Sequence, residues 1–194
     1  MISSDYLPNP RLRLGAQYAR VGVRREFLEI TGATSIVETL PGGTDAYEVA
    51  RRLTGDGYRG CWVIALGTND TADVYVGSSV SLSTRIKRMM SVIKNEPVLW
   101  LTVKSLVSSG PYAETNMEHW NKALSEACST YPNMRIFDWA SVVRDRWFIA
   151  DGIHYTSPGY AARAHLIANA LAQAFPAGSA PVANCVVTGR SRSS

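Results

Sequence analysis

The stretch "ADGIHYTSPGY", residues 150–160, places Asp151 three residues before His154 in a run too rich in Gly, Ser and Pro to be a strand or a helix interior. A carboxylate can fix the tautomer and orientation of a nearby imidazole, and an imidazole held in this way is a general base. The same spacing has plainer readings, as a local turn hydrogen bond or a helix cap. The two side chains could also begin a metal site. The other histidines, His119 and His165, fall inside helical patterns, where solvated or locally satisfied rings are expected. Two further stretches bear on the pair. In "ALGTND" (65–70), Gly67 permits a sharp turn and Asn69 can offer an uncharged amide N–H. In "LPGGTDAYEVARRL" (40–53), Gly42 and Gly43 precede a helix whose first amides carry partial positive charge, an arrangement that stabilises an oxyanion. Taken alone, each is ordinary turn or loop chemistry.

Such loops need a scaffold that delivers them to one place. Three apolar runs, "CWVIALG" (61–67), "PVLWLTV" (97–103) and "MRIFDW" (134–139), lack the alternation of a half-exposed sheet and read as parallel strands covered on both faces. A weaker run, "SIVET" (35–39), precedes them. Helical patterns lie between. "DAYEVARRLTGDGY" puts Ala46, Val49, Ala50 and Leu53 on one face and stops at Gly55 to Gly57; "SLSTRIKRMMSVIKN" and "AETNMEHWNKALSEACSTY" carry similar stripes. The last helix, in "SPGYAARAHLIANALAQAF" (157–175), is expected to begin with Ser157 as N-cap and Pro158 at its first position. The alternation gives an α/β fold: a doubly wound, mostly parallel flavodoxin-like sheet with right-handed crossovers. Ligands of such sheets bind beyond the carboxyl ends of the strands. Gly42, Asn69 and the Asp151–His154 pair all follow strands and are expected to meet in one crevice there.

Composition narrows the class. At 194 residues, 46% hydrophobic and 19% charged, the chain suits one globular domain rather than a disordered or fibrous protein. Its formal charge of +4 is scattered, apart from the tail "GRSRSS". That is too diffuse for a nucleic-acid surface and equally suits an anionic envelope polymer. No apolar stretch approaches the ~20 residues of a membrane helix, and the N-terminus lacks a basic region followed by an apolar one. Cys61, Cys128 and Cys185 lack paired zinc spacings. Cys61 opens a strand and Cys128 ends a helix, so a disulfide between them is one expectation; buried free thiols are the commoner one.

Over residues 30–175 the chain resembles the SGNH (GDSL-like) hydrolase family of esterases, lipases and acyl-ester deacetylases. "LPGGTDAYEVARRL" resembles its second block, "ALGTND" its third, Gly-x-Asn-Asp, and "DGIHYTSPGY" its fifth, Asp-x-x-His followed by Tyr-x-x-x-Gly. The resemblance implies a Ser-His-Asp triad with His154 as general base and Asp151 orienting it. Asn69 and the backbone N–H of Gly42 become oxyanion donors, and neither a metal nor an organic cofactor is implied. It further implies an acyl-ester small molecule or glycan as substrate, hydrolysis or O-acyl transfer as reaction, and no nucleic-acid partner. Related domains sit on bacterial membrane acyltransferases, so attachment to one, or to an export signal, and an extracytoplasmic or cell-envelope location are the corresponding expectations.

The family's first block, an apolar strand ending in Gly-Asp-Ser, has no match before residue 30. Residues 1–29 read as the irregular segment that follows that serine, and the missing strand would be central in the 2-1-3-4-5 order. Met1 is therefore expected to be an internal start with the nucleophile encoded upstream. Ser3 and Ser4 have no strand before them to position them. The alternative is a pseudoenzyme that binds a glycan or partner in the same crevice, with Tyr112 and Trp120 of "VSSGPYAETNMEHW" (107–120) as stacking groups, although core packing is the simpler reading of Trp120. Residues 176–194 read as a flexible tail. Its run "CVVTGRS" (185–191) is weighed as a substitute for the central strand, offering Ser191, and set aside because no helix follows.

Overall fold

The three strong apolar runs become β1 (Trp62–Ile64), β2 (Val98–Leu101) and β3 (Met134–Phe137), parallel throughout, in a computed structural model that describes residues 7–190. A fourth strand, β4 (Val186–Val187), pairs in parallel with β3, giving the order β1-β2-β3-β4. Among the described residues seven α-helices surround them: α1 (Leu14–Arg20), α2 (Ala46–Gly55), α3 (Thr68–Tyr75), α4 (Leu82–Ile93), α5 (Glu114–Cys128), α6 (Trp139–Val142) and α7 (Ser157–Ala174). No helix among the described residues is long and apolar enough to cross a membrane.

Strand alternation divides the core in two. Val98, Trp100, Met134 and Ile136 face α2, α4 and α5, where Ile86, Met89, Met117 and Trp120 meet them. Leu99, Leu101 and Phe137 face the other way, against Tyr18 of α1 and Ile167, Ala168 and Leu171 of α7. All four residues of β2 are buried, which is why its sequence shows no polar-apolar alternation. Burial of each large apolar side chain contributes about 1.5–3 kcal/mol. The fold is thus the expected α/β sheet wound on both faces.

Several expectations are corrected. "SIVET" forms no strand: the Ile36 N–H is taken by Asp70 Oδ1 at 2.9 Å, Ser35 Oγ donates to Asp73, and Glu38 pairs with Arg85, so side chains of α3 and α4 hold this segment where a ladder would. "GTND" is not only a turn but the start of α3. Residues 1–29 include α1, and residues 176–194 include β4. That strand lies at the sheet edge opposite β1, so residues 185–187 do not enter a central position; Ser191, like Ser3 and Ser4, lies outside the described residues. The crossovers do not share one hand. β1 to β2 and β2 to β3 pass over the α4 and α5 face, whereas β3 to β4 passes over the α7 face while stepping in the same direction. Finally, α7 is capped by Thr156, whose hydroxyl accepts the Gly159 N–H, with Ser157 and Pro158 already inside the helix.

The cysteines also pair differently. Cys128 and Cys185 form a disulfide, with Cα atoms 6.4 Å apart, and Cys61 is a free, exposed thiol. Cys128 ends α5 beside the amino end of β3, and Cys185 immediately precedes β4, the neighbour of β3. Cys61 stands at the amino end of β1, two strand spacings of about 4.8 Å away from β3, beyond disulfide reach.

Candidate active site

His154 is fixed from three sides by its own loop. Asp151 Oδ1 accepts the backbone N–H groups of Ile153 and His154 at 2.8 and 2.9 Å, closing a tight turn over Gly152. A bridge between Phe148 and Tyr155, with the Ile149 N–H donating to the His154 carbonyl, ties the turn to the preceding chain. Thr156 then caps α7. Because both backbone donors use Oδ1, Oδ2 is left for the ring, and His154 Nδ1 lies 2.7 Å from it. A carboxylate can only accept, so Nδ1 carries a proton, and in the neutral ring the lone pair is on Nε2. Burial pushes the Asp151 pKa up, but the His154 side-chain bond, the two backbone donors and the imidazole charge together outweigh it and bring it down to about 2. Both side chains stay partly open, at 34% for His154 and 40% for Asp151. No third ligand joins them: groups of three or more His, Cys, Asp or Glu placed to hold a metal ion are absent among the described residues.

The loop after β2 connects this pair to Asn69. Its start is clamped by Asn121, which binds both the N–H and the carbonyl of Val103 at 2.8 Å. The Leu106 N–H then donates to the Gly152 carbonyl at 2.8 Å. Gly152, at φ 70°, sits so close to this loop that a Cβ would come within 3.3–3.4 Å of Leu106 and Val107. In the same loop Ser105 Oγ donates to the Tyr112 carbonyl at 2.6 Å, and the Tyr112 hydroxyl makes a long bond of 3.4 Å to Asn69 Oδ1. A relay of backbone and side-chain hydrogen bonds thereby links the loop of Asp151 and His154 to Asn69.

Asn69 lies in the first turn of α3, directly after β1, where Gly67 at φ 135° makes the turn against Trp120. A Cβ at Gly67 would come within 2.3 Å of Trp120 Nε1, so only glycine lets the chain pass there. Trp120 itself is fully buried, which confirms its packing role and removes it as a stacking platform. One Asn69 amide N–H donates to the Thr34 carbonyl at 3.2 Å, leaving the second for another acceptor. Gly42 is placed more loosely. It occupies an exposed turn closed by the Gly43 N–H and the Leu40 carbonyl, at φ 76°, with nothing within 4 Å of where a Cβ would stand.

One group that sequence reasoning missed underlies Asn69. Arg85 of α4 is fully buried and meets Asp70 at 3.0 Å, Asp73 at 3.8 Å and the carboxylate of Glu38. Asp70 is also fully buried, and desolvation lifts its pKa to about 6 against the opposing pull of the Ile36 N–H and Arg85. The network locks the segment before Gly42 onto the helix that carries Asn69. Its sequence signals were the spacing of Asp70 and Asp73 on one helical face and the place of Arg85 on the apolar stripe of α4, three residues after Leu82 and four before Met89.

No family model matches the sequence, and no curated protein matches it either. Solved structures do. A lipase/acylhydrolase from Enterococcus faecalis is 22% identical, with 66% of this chain and 70% of that one aligned at a TM-score of 0.52. A second solved structure is 16% identical over 88% of this chain and 90% of its own, at a TM-score of 0.58. At these identities the likeness shows a shared fold, one that a lipase/acylhydrolase also uses.

Proposed function

We propose that this chain supplies the base and oxyanion side of an SGNH-type serine ester hydrolase or O-acyltransferase acting on an acyl ester of a glycan or small molecule. The observation that carries the reading is the 2.7 Å contact between His154 Nδ1 and Asp151 Oδ2, with Oδ1 occupied by two backbone donors. That arrangement gives His154 Nε2 the lone pair a general base needs.

In the proposed reaction Nε2 takes the proton of a serine hydroxyl as its oxygen attacks the ester carbonyl. The second N–H of Asn69 and the N–H of Gly42 hold the tetrahedral oxyanion, and Asp151 stabilises the imidazolium. Collapse of the intermediate expels the alkoxide, which receives the proton from Nε2. Water or a sugar hydroxyl then attacks the acyl-serine by the same steps. The serine is assigned to a strand that pairs with the outer edge of β1. That edge is unpaired among the described strands, and β1 leads straight into the turn bearing Asn69. An extracytoplasmic location, and attachment to a membrane acyltransferase or export signal, belong to the same proposal.

One observation favours a second reading, a non-catalytic module binding a glycan or protein. Asn69 gives one amide N–H to Thr34 and its oxygen to Tyr112, so a single N–H remains to meet a ligand, as a binding crevice would equally use it. Hydrolysis of a short-chain aryl ester separates the two. We expect little turnover from the 194-residue chain, turnover from a form lengthened by the upstream coding sequence, and a roughly thousandfold drop on Asn69→Ala in the active form. Inactivity of both forms on aryl and glycan esters would favour the binding module.

A further inference from the structure

A second cleft, of about 730 Å³, lies away from the His154 rim, between α1, α7 and the chain around β4. Its polar walls are built by a closed ring of hydrogen bonds. Arg20 donates through Nε to Gln17 Oε1 at 3.0 Å and through Nη2 to Asn169 Oδ1; Asn169 Nδ2 meets His165 Nε2 at 3.2 Å; and His165 Nδ1 returns to Gln17 Oε1 at 3.0 Å. Gln17 is buried, with its own amide donating to the Arg11 carbonyl, so the ring is anchored at its base. The geometry also fixes the tautomer of His165, with the proton on Nδ1 and the lone pair on Nε2.

The backbone of the opposite wall is also held. The Cys128–Cys185 disulfide, the β3–β4 ladder and a bond from the Gly189 N–H to Gln173 Oε1 at 3.1 Å hold residues 182–190 in place. Gly189 presses so tightly on α7 that a Cβ would lie 2.5 Å from the Leu166 carbonyl oxygen. This wall contributes Arg190 and the exposed side chain of Val186. Among the described residues no Asp or Glu lines the cleft, while two arginines do. Burial and the Arg20 charge both hold the His165 pKa below its usual value, as a positive local potential would.

We infer that this cleft binds a small organic anion, a carboxylate or phosphate head on a short aliphatic or aromatic body. The head sits against Arg20 and Arg190, and the body lies on Val182 and Val186. Two cations, of which Arg20 is held by the ring, face no wall carboxylate and select the charge, and the exposed valine selects an apolar body over a bare ion. The ring of hydrogen bonds holds the Arg20 guanidinium before the ligand arrives, which removes part of the ordering cost. This inference stands independently of the ester chemistry at His154.

The test follows the His165 ring proton by NMR, assigned through its loss in His165→Gln, as benzoate, inorganic phosphate or chloride is added at constant ionic strength and pH 7.5. Benzoate should give a saturable shift at about millimolar concentration. Phosphate should saturate only at higher concentration, and chloride should give none. Arg20→Gln should weaken benzoate about tenfold, the effect of losing one charge-assisted contact. Val186→Asp, at a side chain exposed enough to tolerate the change, should abolish saturation and keeps the test readable if Arg20→Gln loosens α1. A shift linear in benzoate, or saturation unchanged in both variants, would overturn the assignment; equal affinity for phosphate and benzoate would overturn its apolar half.

Discussion

Replacing Asp151 by Asn keeps the shape of the side chain and an oxygen for the Ile153 and His154 N–H groups, but removes the charge facing His154 Nδ1. The gap between the ordinary carboxyl value of 3.8 and about 2 corresponds to about 2 kcal/mol of preference for the ionised form. Because the side chain is 40% exposed, solvent screening reduces this to about 1 kcal/mol. The folded-state pKa lies below the unfolded one, so the contribution is present above pH 4 and is lost as pH falls towards 2. Asp151→Asn should therefore lower stability by about 1 kcal/mol at pH 7, and the difference from the parent should shrink to about half near pH 3. With a urea slope of about 2 kcal/mol/M, the midpoint at pH 7 moves by about 0.5 M. Urea titrations of both proteins at pH 7, 5, 4 and 3, read by circular dichroism, make the comparison. A midpoint difference that stays constant from pH 7 to pH 3, or is absent at pH 7, would refute the claim that the ionised Asp151 is held by this loop.

Three further perturbations reach the parts that carry the rim. Arg85→Met leaves the fully buried Asp70 without its cation and should cost about 3–5 kcal/mol in urea unfolding; Asp70→Asn in that background should recover part of the loss. Gly67→Ala forces a side chain into Trp120 and an unfavourable φ, so it should destabilise by more than about 2 kcal/mol and shift the near-ultraviolet circular dichroism of buried tryptophan. Cys185→Ser should lower stability by about 2–4 kcal/mol, from a crosslink spanning 57 residues, and the difference should vanish when both proteins are measured with a thiol reductant.

The strong strands were legible because a buried parallel strand has no polar face to disguise it: "PVLWLTV" and "MRIFDW" announced β2 and β3 directly. "SIVET" carries the same residue types but has no ladder partner among the described residues, and the carboxylates of α3 and the Glu38–Arg85 pair take it instead. Strand propensity cannot reveal that competition, since it depends on which neighbour is present. The apolar run "CVVTGRS" was legible, but two valines in a short tail do not say which strand they join; a disulfide and the tight Gly189 contact hold them beside β3 at the sheet edge. At the site, the Asp151–His154 contact followed from local spacing, since a three-residue turn can close in few ways. The Tyr112–Asn69 contact joins residues 43 positions apart, and no local pattern encodes it.

The central claim is that His154, held by Asp151, acts as the base for a serine. It is tested most directly by reacting the N-terminally lengthened protein with a fluorophosphonate, a reagent that bonds to base-activated serines, and locating the label by peptide mapping. One modified serine is expected, in the strand assigned beside β1, with a labelling rate that falls at least a hundredfold in His154→Gln while the fold is retained. Labelling at the same rate in His154→Gln, or none in the parent, would contradict it.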